Sequence, residues 1–304
     1  LAPMLVTLFG ELSLVSPLAN AFAIPVVSFL VVPLTLAGAL AGVPGLLEAA
    51  HGLMEATMVP LEFLAAWPGA VVESAAAPPA FAGLALAGAL VVLAPRGVPL
   101  RLAGFALALP LALHAPPSPP PGVAWLDVLD VGQGLAAVVR TASHALVYDT
   151  GPAWSDEADG GSRVVVPFLR GEGVRRLDGV VVTHADDDHA GGAGSIAEAR
   201  RPGWLLSTLG PQDGRHGAFP ASRPCVTGVA WEWDGVRFEV LHPDAGALAE
   251  AGRRENDRSC VIRVTAGGGA ELLAADIEKR AEPELPAREA ARRRRFPALG
   301  AGVR

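Results

Sequence analysis

The segment Thr183-His-Ala-Asp-Asp-Asp-His-Ala-Gly-Gly192 combines four side chains that commonly bind metal ions. They are His184, Asp186, Asp188 and His189. The apolar, β-branched run before them, residues 178–183, predicts a short buried strand. The glycine pair after them predicts a tight turn into a helix. Ligands fixed at a strand end converge on a metal with little loss of conformational freedom. An acidic loop with two incidental histidines is the alternative, and the density of ligand types favours a metal site.

The ligand types narrow the choice of metal and of reaction. Two imidazoles with two carboxylates suit Mn²⁺ or Mg²⁺ at least as well as Zn²⁺. A structural zinc site would use thiolates, and Cys225 and Cys260 lie far from this segment in sequence. The neighbouring Asp188 and His189 allow the segment to serve two divalent ions, which clamp the attacking and leaving oxygens of a phosphodiester and lower the pKa of a bound water. We therefore predict metal-assisted hydrolysis, with Mn²⁺ preferred and Asp188 and His189 as catalytic residues.

The spacing His184-x-Asp186-x-Asp188-His189-x-Gly-Gly resembles the signature of the metallo-β-lactamase fold, in its form with Asp where many members have a second His. Three other segments are similar to that family: Leu129-Asp-Val-Gly-Gln-Gly134, Val147-Tyr-Asp-Thr-Gly-Pro152 and Leu272-Leu-Ala-Ala-Asp-Ile277. Together with the apolar segment Ser13–Asn20, their order resembles the ComEC-type DNA-internalisation proteins of natural competence. This resemblance, from about residue 1 to about residue 280, implies a polytopic membrane region followed by a metallo-β-lactamase-like domain.

The resemblance also implies roles for single residues. Asp276 occupies the position of a metal-bridging Asp, although Ala275 replaces the usual preceding Gly; the alternative is a helix-capping Asp. The predicted metal ligands are therefore His184, Asp186, Asp188, His189 and Asp276. Asp149 is expected to hold the loop or hydrogen-bond the ligands rather than bind metal. His242 has a family counterpart, but a lone histidine at a strand end is more often structural.

Composition predicts a multi-domain chain. Hydrophobic residues make up 51% of it, and residues 1–95 contain no Lys, Arg or Asp. The Pro-rich stretch 115–122 cannot continue a helix and should form a stiff linker. We predict an α-helical transmembrane region at 1–114, the linker at 115–122, a partial metallo-β-lactamase-like domain at 123–290 and an atypical basic tail at 291–304.

The front part is expected to lie in a membrane. Residues 18–43 form an uncharged apolar run long enough to span a bilayer, although a buried helix of a soluble protein is the alternative. Residues 81–93 and 102–113 are shorter and could form a tight transmembrane hairpin or a re-entrant pair. Residues 44–67 carry Glu48, Glu55 and Glu62 on one helix face, which predicts an amphipathic helix on the membrane or against the bundle.

The few basic residues suggest an orientation. Arg96 and Arg101 flank the loop between the last two apolar segments, and the positive-inside tendency places that loop in the cytoplasm. The domain after Gly122 would then be extracytoplasmic, on a multi-pass protein of the inner (plasma) membrane. In such an oxidising compartment Cys225 and Cys260 could pair, but two cysteines do not establish a disulfide.

The polar part shows alternating short strands and few helices. Residues 123–130, 136–140 and 145–148 predict an antiparallel meander. Residues 162–169 predict a helix with Ser162 as its cap. Further strands are predicted at 236–241, 261–264 and 271–274. This pattern fits one side of the four-layered αβ/βα sandwich that the resemblance implies, incomplete at the C-terminus.

The two ends depart from the family pattern. Leu1 is not a usual first residue, so we expect the chain to lack its beginning. After Asp276 the family continues to a Pro-His-His-Gly-Ser-like segment, whereas this chain runs through Arg292–Arg295 to Arg304. We interpret the end as frame-shifted or truncated, which would leave this copy inactive; a tail that binds phosphate backbones is the alternative.

Three functional hypotheses follow. The first is a membrane component of a DNA-uptake channel whose outer domain, a probable nuclease, acts on incoming DNA. The others are a membrane-anchored hydrolase of a small ester or thioester, and a non-catalytic channel component with a degenerate domain. The expected partners are single-stranded DNA in transit, membrane lipid and other DNA-uptake proteins, with a homo-oligomer left open. A formal net charge of −7 argues against strong nonspecific DNA binding.

Overall fold

The computed structural model describes residues 2–95, 97, 99–250, 252–267 and 269–285. Two compact units make up the chain, Leu1–His114 and Ala115–Arg304. Three features of the sequence predictions lie outside the described residues: Arg96, positions 286–290 of the predicted domain, and the basic tail.

The first unit is helical. Its helices are α1 (Ala2–Phe9), α2 (Ser16–Val26), α3 (Val32–Ala41), α4 (Pro44–Ala65), α5 (Pro79–Leu93) and α6 (Gly104–Leu113), with a small antiparallel sheet of β1 (Glu11–Ser13) and β2 (Val71–Glu73). Helices α2 and α3 join through the π-helical turn Val27–Val31. The resulting helix Ser16–Ala41 has 26 residues and a mean hydropathy of 2.2, so it is long and apolar enough to cross a membrane. Among the described residues it is the one helix that meets both criteria.

Helices α5 and α6 form a tight hairpin around two glycines. A Cβ atom added to Gly88 would overlap the carbonyl oxygen of Gly104, and one added to Gly104 would overlap that of Gly88. Small residues at such a crossing let two helix backbones approach closely, which is common where helices pack in lipid.

The second unit contains a six-stranded sheet. Its strands are β3 (Trp125–Val128), β4 (Ala136–Arg140), β5 (Ala145–Thr150), β8 (Gly179–Val182), β9 (Trp204–Ser207) and β10 (Ser222–Pro224), in the order β10-β9-β8-β5-β4-β3. Strands β3, β4 and β5 form the predicted antiparallel meander. Strand β8 is the predicted buried strand, and it pairs in parallel with β5 and β9. A separate two-stranded ribbon is formed by β6 (Ala153–Ser155) and β7 (Ala158–Asp159).

A second, antiparallel sheet covers one face of the first. It consists of β11 (Ala230–Trp233), β12 (Val236–His242), β13 (Val261–Ala266) and β14 (Gly269–Leu273). Its apolar side packs against Leu146 and Val181 of the first sheet through Phe238 and Ile262. The other face of the first sheet is covered by α7 (Val166–Gly171) and α9 (Ala193–Arg200). Helix, sheet and sheet therefore form three layers of the predicted sandwich.

One local prediction was wrong. Ser162 is not the helix cap; it lies in the π-helical turn Gly161–Val165 before α7, where its backbone N–H donates to Asp159 Oδ1 at 2.7 Å. The turn predicted at Gly191 and Gly192 is present and leads into α9, with φ angles of −62° and −86° at the two glycines. They are required because a Cβ on either would overlap backbone atoms of the neighbouring segments.

The sequence left the cysteine pairing open, and the structure joins Cys225 to Cys260 in a disulfide with a Cα–Cα distance of 5.9 Å. Cys225 follows β10 of the first sheet and Cys260 precedes β13 of the second. The bond therefore links the two sheets.

Candidate metal centre

The candidate metal centre lies where strands β8 and β14 end. His184 follows β8, His189 lies in the short helix α8 (Asp187–Ala190), and Asp276 follows β14. One potential ligand atom from each of the three lies within 4.8 Å of the others. Both histidines are buried, whereas the Asp276 side chain is 49% exposed. The cluster therefore has a buried imidazole side and an open carboxylate side.

The ligand atoms face one another across short distances. His189 Nε2 lies 3.4 Å from Asp276 Oδ2, and His184 Nε2 lies 3.5 Å from Asp186 Oδ2. Three of the five predicted ligands, His184, His189 and Asp276, thus form one cluster, and Asp186 contacts it through His184. Asp188 is half-buried beside them, and its carboxylate acts on His189 through its charge. Its backbone oxygen accepts the Leu135 N–H at 3.2 Å.

Asp149 hydrogen-bonds to His189 of the cluster and to Thr183 beside it, as predicted. It is fully buried, with φ of 58°, and accepts hydrogen bonds from Thr183 N–H and Thr183 Oγ1, each at 2.8 Å. The same carboxylate lies 2.8 Å from His189 Nδ1. A proton on Nδ1 then donates to Asp149, which leaves the lone pair of His189 Nε2 free for a cation.

A second hydrogen-bond chain fixes His184. Its Nδ1 lies 2.9 Å from Thr183 Oγ1, whose proton is already donated to Asp149. Nδ1 must therefore be the donor in this contact, and Nε2 carries the lone pair. His184 Nε2 is buried and has no hydrogen-bond partner in the described structure. A buried acceptor without a partner is unfavourable unless a ligand occupies its lone pair.

The surrounding charges move the pKa values of the two histidines in opposite directions. Burial, followed by the neighbouring His189, lowers the pKa of His184. Burial alone would also lower the pKa of His189, but the hydrogen bond to Asp149 and the charges of Asp149 and Asp276 outweigh it and raise that pKa. A lowered pKa favours the neutral form of His184, which is the form that binds a metal.

Sequence reasoning missed how the strand ends are tied together. The Thr183 carbonyl accepts hydrogen bonds from Cys260 N–H at 3.0 Å and Thr208 Oγ1 at 2.6 Å. Tyr148 Oη donates toward the carbonyls of Cys260 (2.6 Å) and Leu273 (2.9 Å). The disulfide partner Cys260 therefore sits directly beside the residue that precedes His184. Tyr148 belongs to the segment 147–152 that resembles the family, so this motif could have indicated the contact, but no role was predicted for Tyr148.

Gly134 brings another loop onto the centre. Its φ is 106°, and a Cβ there would overlap the backbone oxygen of Asp188. Gly134 belongs to the segment 129–134 that resembles the family, but its contact with Asp188 was not predicted from the sequence. The Gly132-Gln-Gly134 loop therefore packs directly on the turn that carries the ligands.

His242 lies outside the cluster, which agrees with the structural role favoured from the sequence. It is buried, with Nδ1 2.9 Å from Ser259 O and Nε2 3.1 Å from Glu284 Oε2. Both ring nitrogens therefore have protein partners. Ala275 adopts φ of 44°, the left-handed conformation that a glycine accepts more easily, and Asp276 still reaches the cluster.

The residues present fit a divalent cation. Two buried imidazoles offer Nε2 lone pairs, and the carboxylates of Asp186 and Asp276 supply negative charge on the open side. This mixed nitrogen and oxygen set suits Zn²⁺, Mn²⁺ or related ions. In the described part of the chain, no other group of three His, Cys, Asp or Glu side chains forms a comparable cluster.

Each of the two units matches a known protein family. Residues 129–290 match the family model of the metallo-beta-lactamase superfamily, and residues 1–98 match that of the competence protein family. The chain is 37% identical over 279 residues to competence protein ComA of Neisseria gonorrhoeae, covering 91% of this chain and 38% of that protein. It is 36% identical over 160 residues to recombination protein 2 of Haemophilus influenzae, covering 52% of this chain and 19% of that protein. The chain thus spans well under half the length of these curated relatives.

The matches among solved structures include a metallo-beta-lactamase. The metallo-beta-lactamase SMB-1 bound to 2-mercaptoethanesulfonate is 16% identical, with a TM-score of 0.34, over 52% of this chain and 63% of that one.

Proposed function

The chain belongs to the metallo-β-lactamase superfamily and is of the ComEC/Rec2 type of competence protein, and from this premise we propose that it acts in DNA uptake. In this proposal the membrane unit is part of the uptake channel. The end of the sequence predicted an inactive copy, but His184, His189 and Asp276 lie together, and we propose that the second unit hydrolyses phosphodiester bonds of incoming DNA with two divalent ions. The relative named competence protein ComA and the match of residues 1–98 to the competence protein family support the role in uptake.

One observation carries the hydrolytic part of the proposal. The Nδ1 contacts of His184 and His189 leave Nε2 of each free to accept, and one ligand atom from each histidine lies within 4.8 Å of one from Asp276. Such preorientation is what a metal ligand requires.

In the proposed reaction, different residues of the chain have different roles. Divalent cations bound here would supply Lewis acidity to the phosphoryl group and a nucleophile at neutral pH. His184 and His189 would hold the buried side of the site, and Asp276 would bridge from the second sheet. Asp186 and Asp188 would add the negative charge that retains two cations. Asp149 keeps His189 in the tautomer that leaves Nε2 free.

The carboxylate-rich ligand set favours Mn²⁺, with Zn²⁺ and Mg²⁺ as alternatives. Two other functions remain testable against this one: hydrolysis of a small ester or thioester, and a channel component without catalysis. The match of residues 1–98 to the competence protein family favours the role in DNA uptake over a membrane-anchored hydrolase of a small ester or thioester.

We also propose that the second unit lies outside the cytoplasm, on a multi-pass protein of the inner (plasma) membrane. The Cys225–Cys260 disulfide supports this location, because disulfides persist in oxidising compartments. Alkaline phosphatase fused after Gly122 should be active in a bacterium, since that enzyme requires export. Activity of a cytoplasm-only reporter at the same point would reverse the orientation.

Cleavage assays separate the three functions. The full-length protein in detergent should cut labelled single-stranded DNA with Mn²⁺ and should leave a thioester intact. Asp188→Ala should abolish cleavage, whereas Asp187→Ala, which removes the adjacent exposed carboxylate, should retain it. Thioester cleavage without DNA cleavage would favour the small-molecule hydrolase. A metal-loaded protein without either activity would favour the non-catalytic component.

A further inference from the structure

We propose that Arg215 binds a non-bridging oxygen of the DNA phosphate beside the metal centre and so selects phosphodiesters as substrates. This inference rests on the proposed nuclease function and deepens it.

Arg215 contacts the loop that carries the ligands. It lies in the 3₁₀ turn Gly214–Ala218, and its Nη2 is 3.4 Å from the carbonyl oxygen of Ala185. Ala185 separates His184 from Asp186, so the guanidinium lies next to two predicted ligands. The Arg215 side chain is 27% exposed, which leaves one side open to a substrate.

Asp213 fixes the orientation of this guanidinium. Its carboxylate accepts hydrogen bonds from Arg215 Nε at 2.9 Å and from Nη2 at 2.7 Å, a two-point clamp. The backbone N–H of Arg215 donates to the same carboxylate at 2.9 Å. Within the described residues Nη1 has no protein acceptor, so its donors are held in place and available.

The negative charge around Arg215 supports a role for this residue in binding a phosphate. Asp186, Asp187 and Asp188 lie consecutively on the neighbouring loop, and the half-exposed Asp276 adds to this acidic surface. These carboxylates repel an approaching phosphate anion, whereas bound cations and Arg215 attract it. A fixed guanidinium suits a phosphate, because its Nη1 can donate to a phosphate oxygen and its charge does not titrate. An uncharged ester would gain little from it.

A double-substitution cycle between protein and ligand tests the inference. The probes are the dinucleotide TpT, with one charged phosphodiester, and its uncharged methylphosphonate analogue. Their dissociation constants are measured by titration calorimetry on the full-length protein with Mn²⁺, at a temperature where no cleavage occurs. Arg215→Ala should weaken TpT binding about 10-fold or more, the usual size of a charge-assisted hydrogen bond. Binding of the analogue should change less than about twofold.

Two further variants keep the test decisive. Arg215→Lys retains the charge without the clamp and should weaken TpT binding by an intermediate factor. Arg237→Ala removes an exposed arginine of β12 and should change neither probe. Equal losses for both probes in Arg215→Ala, or loss of bound metal, would show that Arg215 only anchors Ala185 and would overturn the inference. If the unsubstituted protein cleaves DNA but shows no such coupling, this inference fails alone; if it cleaves no DNA, the proposed function fails with it.

Discussion

His189 Nδ1 and Asp149 Oδ2 are 2.8 Å apart in a fully buried contact that connects the metal-binding helix to the end of β5. Asp149 itself is not one of the three clustered ligand residues. Its three hydrogen bonds, to Thr183 and His189, set the direction of both imidazoles. Metal affinity should therefore depend on a residue that does not contact the metal.

Replacing Asp149 tests this dependence. Asp149→Asn should lower the affinity for divalent metal by about 10- to 100-fold, the usual effect of losing a hydrogen-bond partner of a ligating histidine. Competition with a chromogenic chelator measures the affinity. Glu232→Gln, an exposed carboxylate on β11, is the matched control and should bind as the unsubstituted protein does. Equal affinities for the two variants would contradict the anchoring role.

Gly134 offers a test of the contact between its loop and Asp188. Gly134→Ala places a Cβ where the Asp188 carbonyl oxygen lies, so the ligand turn must shift and metal affinity should fall at least about 10-fold. Gly132→Ala is the control, because Gly132 also has a positive φ, of 76°, but open space around its Cβ position. Both variants carry the backbone strain, and only the first carries the overlap. Similar metal affinities in the two variants would show that backbone strain, and not the overlap with Asp188, causes the loss of affinity.

Ala275 should be a removable source of strain. Ala275→Gly relieves a left-handed conformation that costs a non-glycine residue about 1 kcal/mol, so the free energy of unfolding should rise by about that amount. Ala274→Gly, one residue earlier and without a positive φ, should lower it. Denaturant unfolding of the two variants compares them directly. A destabilised Ala275→Gly would mean that Ala275 does not hold this conformation in solution.

The α5–α6 hairpin depends on the contact between Gly88 and Gly104. Gly88→Ala should force the two helices apart and lower the thermal stability of the detergent-solubilised protein by several degrees. Gly83→Ala, on the same helix but with open space around it, should have no such effect. Equal melting temperatures for the two variants would rule out the close crossing.

Local pattern was enough to predict the strand β8, the meander of β3 to β5 and the anchoring role of Asp149. These features depend on side chains close together in sequence or on a family motif. The contact of Gly134 with Asp188 and the pairing of Cys225 with Cys260 depend on segments that only the folded chain brings together. The turn at Gly191 and Gly192 was predicted correctly, but for the same reason their close packing against Ala153 and Gly161 was not predicted.

Counting bound ions tests the central claim most directly. The full-length protein is titrated with Mn²⁺ while free ion is followed by electron paramagnetic resonance, with His184→Ala alongside. The account predicts two ions per chain with a spin-coupled spectrum, as expected for adjacent ions sharing ligands, and strongly reduced binding in His184→Ala. Saturation at one uncoupled ion, or unchanged binding in His184→Ala, would contradict it.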